Sequence, residues 1–185
     1  MTPLDPATAL VVVDLQAATV RNPLVHPAEG VVRNAAALAV SFRAAGLPVV
    51  LARARLDAPP AGRTQVGGGR PPVPAELLAL VPEVGAAPGD LLVEHHGWSA
   101  FAGTGLAERL RDRGVTQVVV AGLATSFGVE STARSAYDAG FHVTVVADAT
   151  SDLTESGYRR TLDAVVPVLG EVATTAAVLD ALPAG

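Results

Sequence analysis

The sequence predicts an α/β domain: a doubly wound, mostly parallel sheet with helices on both faces. Two observations carry this expectation. Short runs rich in Val, Leu and Ala alternate with stretches of helical periodicity along the whole chain, the pattern left by successive βαβ units. The short runs, ALVVV at 9–13 and VVVA at 118–121 among them, are apolar continuously rather than at every second residue. Strands covered on both faces read this way. At 185 residues, half of them hydrophobic, the chain reads as one domain, 1–185, with a full core.

The elements follow in order. Residues 9–13 form the first strand, which ends at Asp14, Leu15 and Gln16. Residues 17–26 are irregular, with Asn22–Pro23 and His26–Pro27 as turn signals. Residues 27–45 are a helix, because Val31, Val32, Ala35, Leu38, Ala39 and Phe42 recur at helical spacing and Gly46 can close it. Residues 48–54 are the second strand. The Pro- and Gly-rich stretch 55–74 is a loop of a length that is more often functional or mobile than incidental. A short helix at 75–80 precedes the third strand at 90–94. Residues 103–113 are helical and stop at Gly114. The fourth strand is 116–121. A helix at 125–139 stops at Gly140. The fifth strand, 142–147, ends in Asp148. A helix at 153–169, a short edge strand at 171–174 and a helix at 175–182 complete the chain, and its last three residues, PAG, are expected to be loose. Right-handed crossovers follow by default.

Composition excludes some chemistry. The formal net charge is −5, and the 13 basic residues are all arginine. No side-chain amine is available for Schiff-base or general-base work, and with no cysteine there is no thiol. The arginines are scattered apart from RLRDR at 109–113, so nucleic acid is not expected as a partner. Mean hydropathy is +0.40, yet no apolar run approaches the ~20 residues of a membrane helix. Residues 1–10 have no basic region ahead of an apolar run, so a cytoplasmic protein without a signal peptide is expected. The expected partner is a small-molecule substrate, with neither membrane nor nucleic acid involved.

Ligands in open α/β sheets bind beyond the carboxyl ends of the strands. Asp14 stands at such an end, either as a site residue or as a turn cap. Gln16 either shares the crevice or is solvated. His95 and His96 follow the third strand, as catalytic or as solvated groups. His26, His95, His96 and His142 show no ligand spacing, so no metal is expected. Trp98 and Phe101 are a core plug or a pocket wall. The segment 118–132, VVVAGLATSFGVEST, reads as a buried strand, a glycine turn and a helix start, where backbone N–H groups and the helix dipole meet the sheet edge. Thr125 or Ser126 can cap that helix, and Glu130 complements its dipole. Ser126 lacks the GxSxG elbow of a serine nucleophile. Asp148 is a further strand-end aspartate, with capping as its alternative role.

Three segments carry a resemblance: ALVVVDLQ at 9–16, WSAFAGTGLAERLRDRGVTQVVVAG at 98–122, and ATSFGVESTARSAYDAGFHVTVVADAT at 124–150. In them the chain resembles the isochorismatase-like cysteine hydrolases over nearly its whole length. The resemblance implies a three-layer α/β fold, often a homo-oligomer; no cofactor is expected. It also implies a cis peptide bond after the fourth strand, at Leu123–Ala124. The family's Asp-Lys-Cys triad falls on Asp14, His95 and Gly128, so one of its three members is retained. The metal-ligand pattern of nicotinamidases is absent. Isochorismatases of siderophore and phenazine biosynthesis are similar in having glycine at the cysteine position. They hydrolyse a vinyl ether, and an aspartate matching Asp14 protonates the substrate carbon. Those enzymes keep the lysine and bind a dicarboxylate, for which Arg53, Arg55 and Arg63 are candidates here.

The site expected from the sequence therefore has Asp14 and His95 as its chemical groups. Gln16, Trp98 and Phe101 contact the substrate, together with Leu123, Ala124, Thr125, Phe127 and Gly128 of the loop. Two modes are open. A neutral histidine in place of the lysine cation leaves Asp14 easier to protonate, as a general acid. Alternatively Asp14 orients His95, which activates a water. The function expected is hydrolysis of a small molecule without a thiol, with a non-catalytic binding or assembly module as the alternative. A nucleotide-binding flavodoxin-like protein is disfavoured, since no glycine fingerprint follows the first strand.

Overall fold

The computed structural model describes residues 2–57, 65 and 73–183. Six strands form one sheet: β1 (Thr8–Val13), β2 (Val49–Ala54), β3 (Leu91–His95), β4 (Gln117–Leu123), β5 (His142–Ser151) and β6 (Glu171–Ala173). Their order is β3-β2-β1-β4-β5-β6, and every pairing is parallel. The helices are α1 (Ala28–Ala44), α2 (Leu106–Arg111), α3 (Glu130–Asp138), α4 (Glu155–Arg160) and α5 (Thr175–Ala181). This is the doubly wound architecture the apolar runs predict.

The two core layers show why β1 is apolar throughout. Leu10 and Val12 pack with Leu38, Phe42 and Val178 from α1 and α5, whereas Val11 and Val13 pack with Leu110, Ala133 and Leu162 on the other face. Alternate side chains of a strand point to opposite faces, so a strand sandwiched by helices needs apolar residues at every position. The buried stripe of α1 is the six residues its periodicity names. The helix ends in a Schellman motif: the Leu47 N–H bonds the Phe42 carbonyl at 2.9 Å, the Gly46 N–H bonds that of Arg43 at 3.0 Å, and Gly46 has φ 68°.

Because β1 lies between β2 and β4 while the sequence proceeds from β1 to β2, the crossovers diverge on either side of β1. A crevice opens there at the carboxyl edge. Gly122 makes the close pairing of β1 with β4 possible. It has φ 119°, and a Cβ on it would stand 2.0 Å from the Val13 carbonyl oxygen, so no side chain fits there.

Several boundaries differ from expectation. β3 ends on His95, so that residue belongs to the strand and its orientation is set by the sheet. β5 runs to Ser151 after a register shift opposite Val120 and Gly122. Asp148 is therefore inside the strand. Its Oδ1 accepts the Thr175 N–H at 2.7 Å and the Thr175 hydroxyl at 2.9 Å, the capping role, exercised on α5. The helix expected at 125–139 starts as a π-helical turn, Thr125–Val129, before α3. That expected at 153–169 is α4 followed by a π-helical turn, Thr161–Val165, and a 3₁₀ turn, Val166–Val168. Pro167 lies in that last turn, where an α-helix would need the N–H it lacks. Residues 75–80 contain only the 3₁₀ turn Ala75–Leu77. Most of the expected 55–74 loop, Arg63 included, and the end of the tail lie outside the described residues. No helix among those described is long and apolar enough to cross a membrane.

Candidate active site at the carboxyl edge of the sheet

Asp14 follows the last residue of β1 with φ 54°. This left-handed conformation is uncommon for a residue with a side chain, is best tolerated by Asn and Asp, and is often met at functional sites. The Asp14 N–H is held by the Ala52 carbonyl at 2.9 Å. Two strands away, His95 is in register with Ala54 of β2. The sheet thus brings together two side chains 81 positions apart: His95 Nε2 lies 2.9 Å from Asp14 Oδ1. The other ring nitrogen, Nδ1, is 2.8 Å from the Gly97 carbonyl oxygen.

This geometry settles the protonation pattern. A carbonyl can only accept, so Nδ1 carries a proton. The 2.9 Å contact then needs one further proton between Nε2 and Oδ1. The pair is either imidazolium with carboxylate or neutral imidazole with carboxylic acid. Both partners hold protons more tightly than usual. For Asp14 the largest cause is burial, which raises its pKa and outweighs the pull of His95 and the Ala54 amide in the other direction. For His95 burial acts to lower the pKa, but the Asp14 hydrogen bond and charge, with the Gly97 carbonyl, raise it overall.

A raised histidine contributes stability that is complete below its unfolded value, about 6.5, and is lost as pH rises through the folded value. A raised aspartate adds a penalty that is absent below about 3.9 and grows up to its folded value. Both make stability fall with rising pH. The carboxylates held below their ordinary range, Asp57, Glu94, Glu130 and Glu171, act in the opposite sense, and only below about pH 4.5. Between about pH 5 and 8 the melting temperature should therefore decline with a slope that His95→Gln flattens. An unchanged slope in that variant would remove the pair from the titration.

Both nitrogens of His95 being engaged, the imidazole has none left to take a proton from water. That geometry disfavours the water-activating mode. The oxygen that remains is Asp14 Oδ2, which lies beside Gly128. A Cβ on Gly128 would stand 3.1 Å from that oxygen and 2.9 Å from the Leu123 carbonyl. The Leu123–Ala124 bond is cis, as the resemblance implies. Phe127 is 39% exposed and faces Trp98, which is 61% exposed, with ring centroids 5.0 Å apart. The two rings come from the turns after β4 and β3.

Other expected contacts are placed elsewhere. Gln16 is neither solvated nor facing the crevice; it is buried with its carboxamide bonded to backbone. Phe101 is the core plug, packed on Phe141 at 5.8 Å. The Leu123 side chain belongs to the core. The Thr125 hydroxyl is 2.8 Å from that of Thr150, so it caps no helix. Ser126 caps none with its side chain either; its N–H donates to buried Asp152 at 2.5 Å. An internal carboxylate therefore already occupies the end of this helix. Glu130 is buried under Arg134, Arg160 and Thr161 rather than acting on the dipole alone. Arg53 pairs with Glu94, and Arg55 with Asp57 and Glu94, so neither is a free cation. His96 is exposed. Among the described residues no acidic, His or Cys cluster is fit for a metal. Three contributors escaped the sequence reading: the Gly97 carbonyl, Asp152 and Thr19. Of these only Thr19 had a local signal, a hydroxyl three residues after Gln16.

Comparison with known proteins places this site in context. The family model described as the isochorismatase domain matches residues 8–177. The chain is 36% identical to the isochorismatase family protein YecD of Escherichia coli O157:H7, over 95% of this chain and 96% of that one. It is 32% identical to a ureidoacrylate amidohydrolase, RutB, of Pseudomonas syringae pv. syringae, over 77% of this chain and 70% of that one. A solved structure of an isochorismatase family protein from Burkholderia thailandensis superposes with a TM-score of 0.92 at 40% identity, covering 97% of this chain and 98% of that one.

Proposed function

This chain belongs to the isochorismatase family, and from that premise we propose that it hydrolyses a small molecule without a thiol, with Asp14 as the proton donor. The observation that supports this most is the Asp14–His95 contact: a buried carboxyl whose Oδ1 is tied to an imidazole while its Oδ2 lies beside the gap left by Gly128. Burial favours the protonated carboxyl. In the donor state the pair takes up one more proton, on Oδ2, so that His95, protonated at both nitrogens, aims its Nε2–H at Oδ1 and meets the charge that forms there when the acid gives up its proton.

A vinyl ether fits this arrangement. Asp14 transfers its proton to the terminal vinyl carbon, and the ether oxygen's electrons stabilise the cation formed. Water adds to that cation and returns a proton to Asp14. The hemiketal then breaks its C–O bond, yielding a ketone and an alcohol. No covalent enzyme intermediate is needed, which suits a chain with no cysteine or lysine. Trp98 and Phe127 offer a flat apolar wall for the substrate. The similarity to an amidohydrolase makes amides a second class to test.

The competing reading, a non-catalytic binding or assembly module, draws on the two missing triad positions. A hydrolysis screen of vinyl ethers, amides and esters on wild type and Asp14→Asn separates the two. Turnover by wild type that Asp14→Asn lacks is expected; no turnover of any class would favour the binding module.

A further inference from the structure

Gln16 stands two residues beyond Asp14, fully buried, with every polar atom of its side chain engaged. Its Oε1 accepts the Ala54 N–H at 2.9 Å, and its Nε2 donates to the carbonyls of Ala54 at 3.2 Å and Leu78 at 2.8 Å. Ala54 is the residue of β2 in register with His95. One side chain thus ties the Asp14 turn to the strand end that lies between the two members of the pair. The backbone adds to this clamp. Gln16 bridges Leu80, and the Val81 N–H bonds the Leu15 carbonyl at 2.9 Å. The Thr19 hydroxyl accepts the Gln16 N–H at 3.0 Å and lies within bonding reach of the Asp14 carbonyl. A left-handed aspartate persists only where its surroundings over-determine it, and the buried Gln16 side chain and the Thr19 hydroxyl both brace this turn.

We propose that Gln16 is a positioning residue for the Asp14–His95 pair, holding the Asp14 turn in place and competing with the Asp14 carboxyl for the Ala54 N–H. Its catalytic meaning rests on Asp14 being the proton donor; its geometry does not. Among the described residues, the groups at the Asp14 carboxyl are His95 from β3, the Ala54 backbone from β2, and Gly128 from the turn after β4. Among these His95 alone titrates. With Gln16 gone, the Ala54 N–H no longer bonds the carboxamide, and its hydrogen bond to Asp14 strengthens. An N–H bonded to a carboxylate favours its ionised form and would draw the proton out of the pair.

The test uses the intact chain and needs no substrate. Gln16→Met keeps the length and apolar bulk but loses the amide. The readout is the ¹³C titration of the Asp14 carboxyl, whose midpoint is expected to fall by about half a pH unit or more. With a substrate in hand, kcat should fall while KM is kept. A lowered melting temperature with the Asp14 midpoint unmoved would overturn the proposal and leave Gln16 a stabiliser only. Should Gln16→Met not fold, wild type decides. A coupling across the hydrogen bond from the Ala54 amide to the Gln16 side-chain carbonyl carbon is expected, and one to the Asp14 carboxyl carbon instead would overturn the proposal. Hydrolysis retained in Asp14→Asn sinks the proton-donor reading and leaves this titration untouched, so the two failures are distinguishable.

Discussion

Asp14→Asn is expected to lower hydrolytic turnover by about 10²–10⁴-fold, the usual worth of a positioned general acid, while leaving the fold intact. The substitution is close to isosteric. Asn is among the residues that best tolerate the left-handed backbone Asp14 adopts at φ 54°. Its amide can still meet His95 Nε2 by hydrogen bonding. What is lost is a group able to pass a proton. Removing a carboxyl that burial already disfavours in its charged form should not lower the melting temperature, and can raise it. The result is read from kcat on the substrate found by the screen, beside a thermal melt. Turnover within about twofold of wild type, a barrier change of under ~0.5 kcal/mol, would end the role assigned to Asp14.

Gly128→Cys is the second large effect, and its direction runs against simple restoration of the family triad. The new Cβ would stand 2.9 Å from the Leu123 carbonyl oxygen, 3.1 Å from Asp14 Oδ2 and 3.1 Å from Val13 Cγ1. The first of these neighbours is backbone, anchored by the end of β4, and cannot swing aside as a side chain can. Overpacking of this kind costs about 1–3 kcal/mol, measurable as a shift of the denaturant midpoint. The thiol would also displace the carboxyl from the space it now uses, and no lysine exists to complete the triad. Loss of the native hydrolysis is expected, without a gain of alkylation-sensitive amidase activity. A stable Gly128→Cys that hydrolyses amides and is silenced by iodoacetamide would show the crevice to be an unaltered thiol site.

The legible part of the molecule was its periodic part. The continuous apolar run of β1 and the stripe of α1 depend on which faces are covered, and each leaves a local pattern. The strand-end position of Asp14 follows from the same pattern. The boundaries that moved depend on partners elsewhere: β5 continues past Asp148 because β4 accepts a register shift, and the segment after α4 changes pitch around Pro167. The site was half legible for the same reason. Asp14, His95 and Gly128 were nameable through a resemblance. Gln16 and Thr125 were not readable as structural, because a buried amide or hydroxyl and a ligand contact use the same atoms. Only the packed chain shows whether backbone or another side chain has already claimed them.

The sequence by itself determined the parallel sheet, its helical layers, and a chemistry without thiol or amine, since burial periodicity and residue inventory are properties of the chain alone. The tertiary structure decided which groups remain free to react. Strand register sets His95 against Asp14, the Gly97 carbonyl takes the second nitrogen of the ring, and Gln16 is spent holding Ala54. Those pairings join residues far apart in the chain, and no local pattern encodes them.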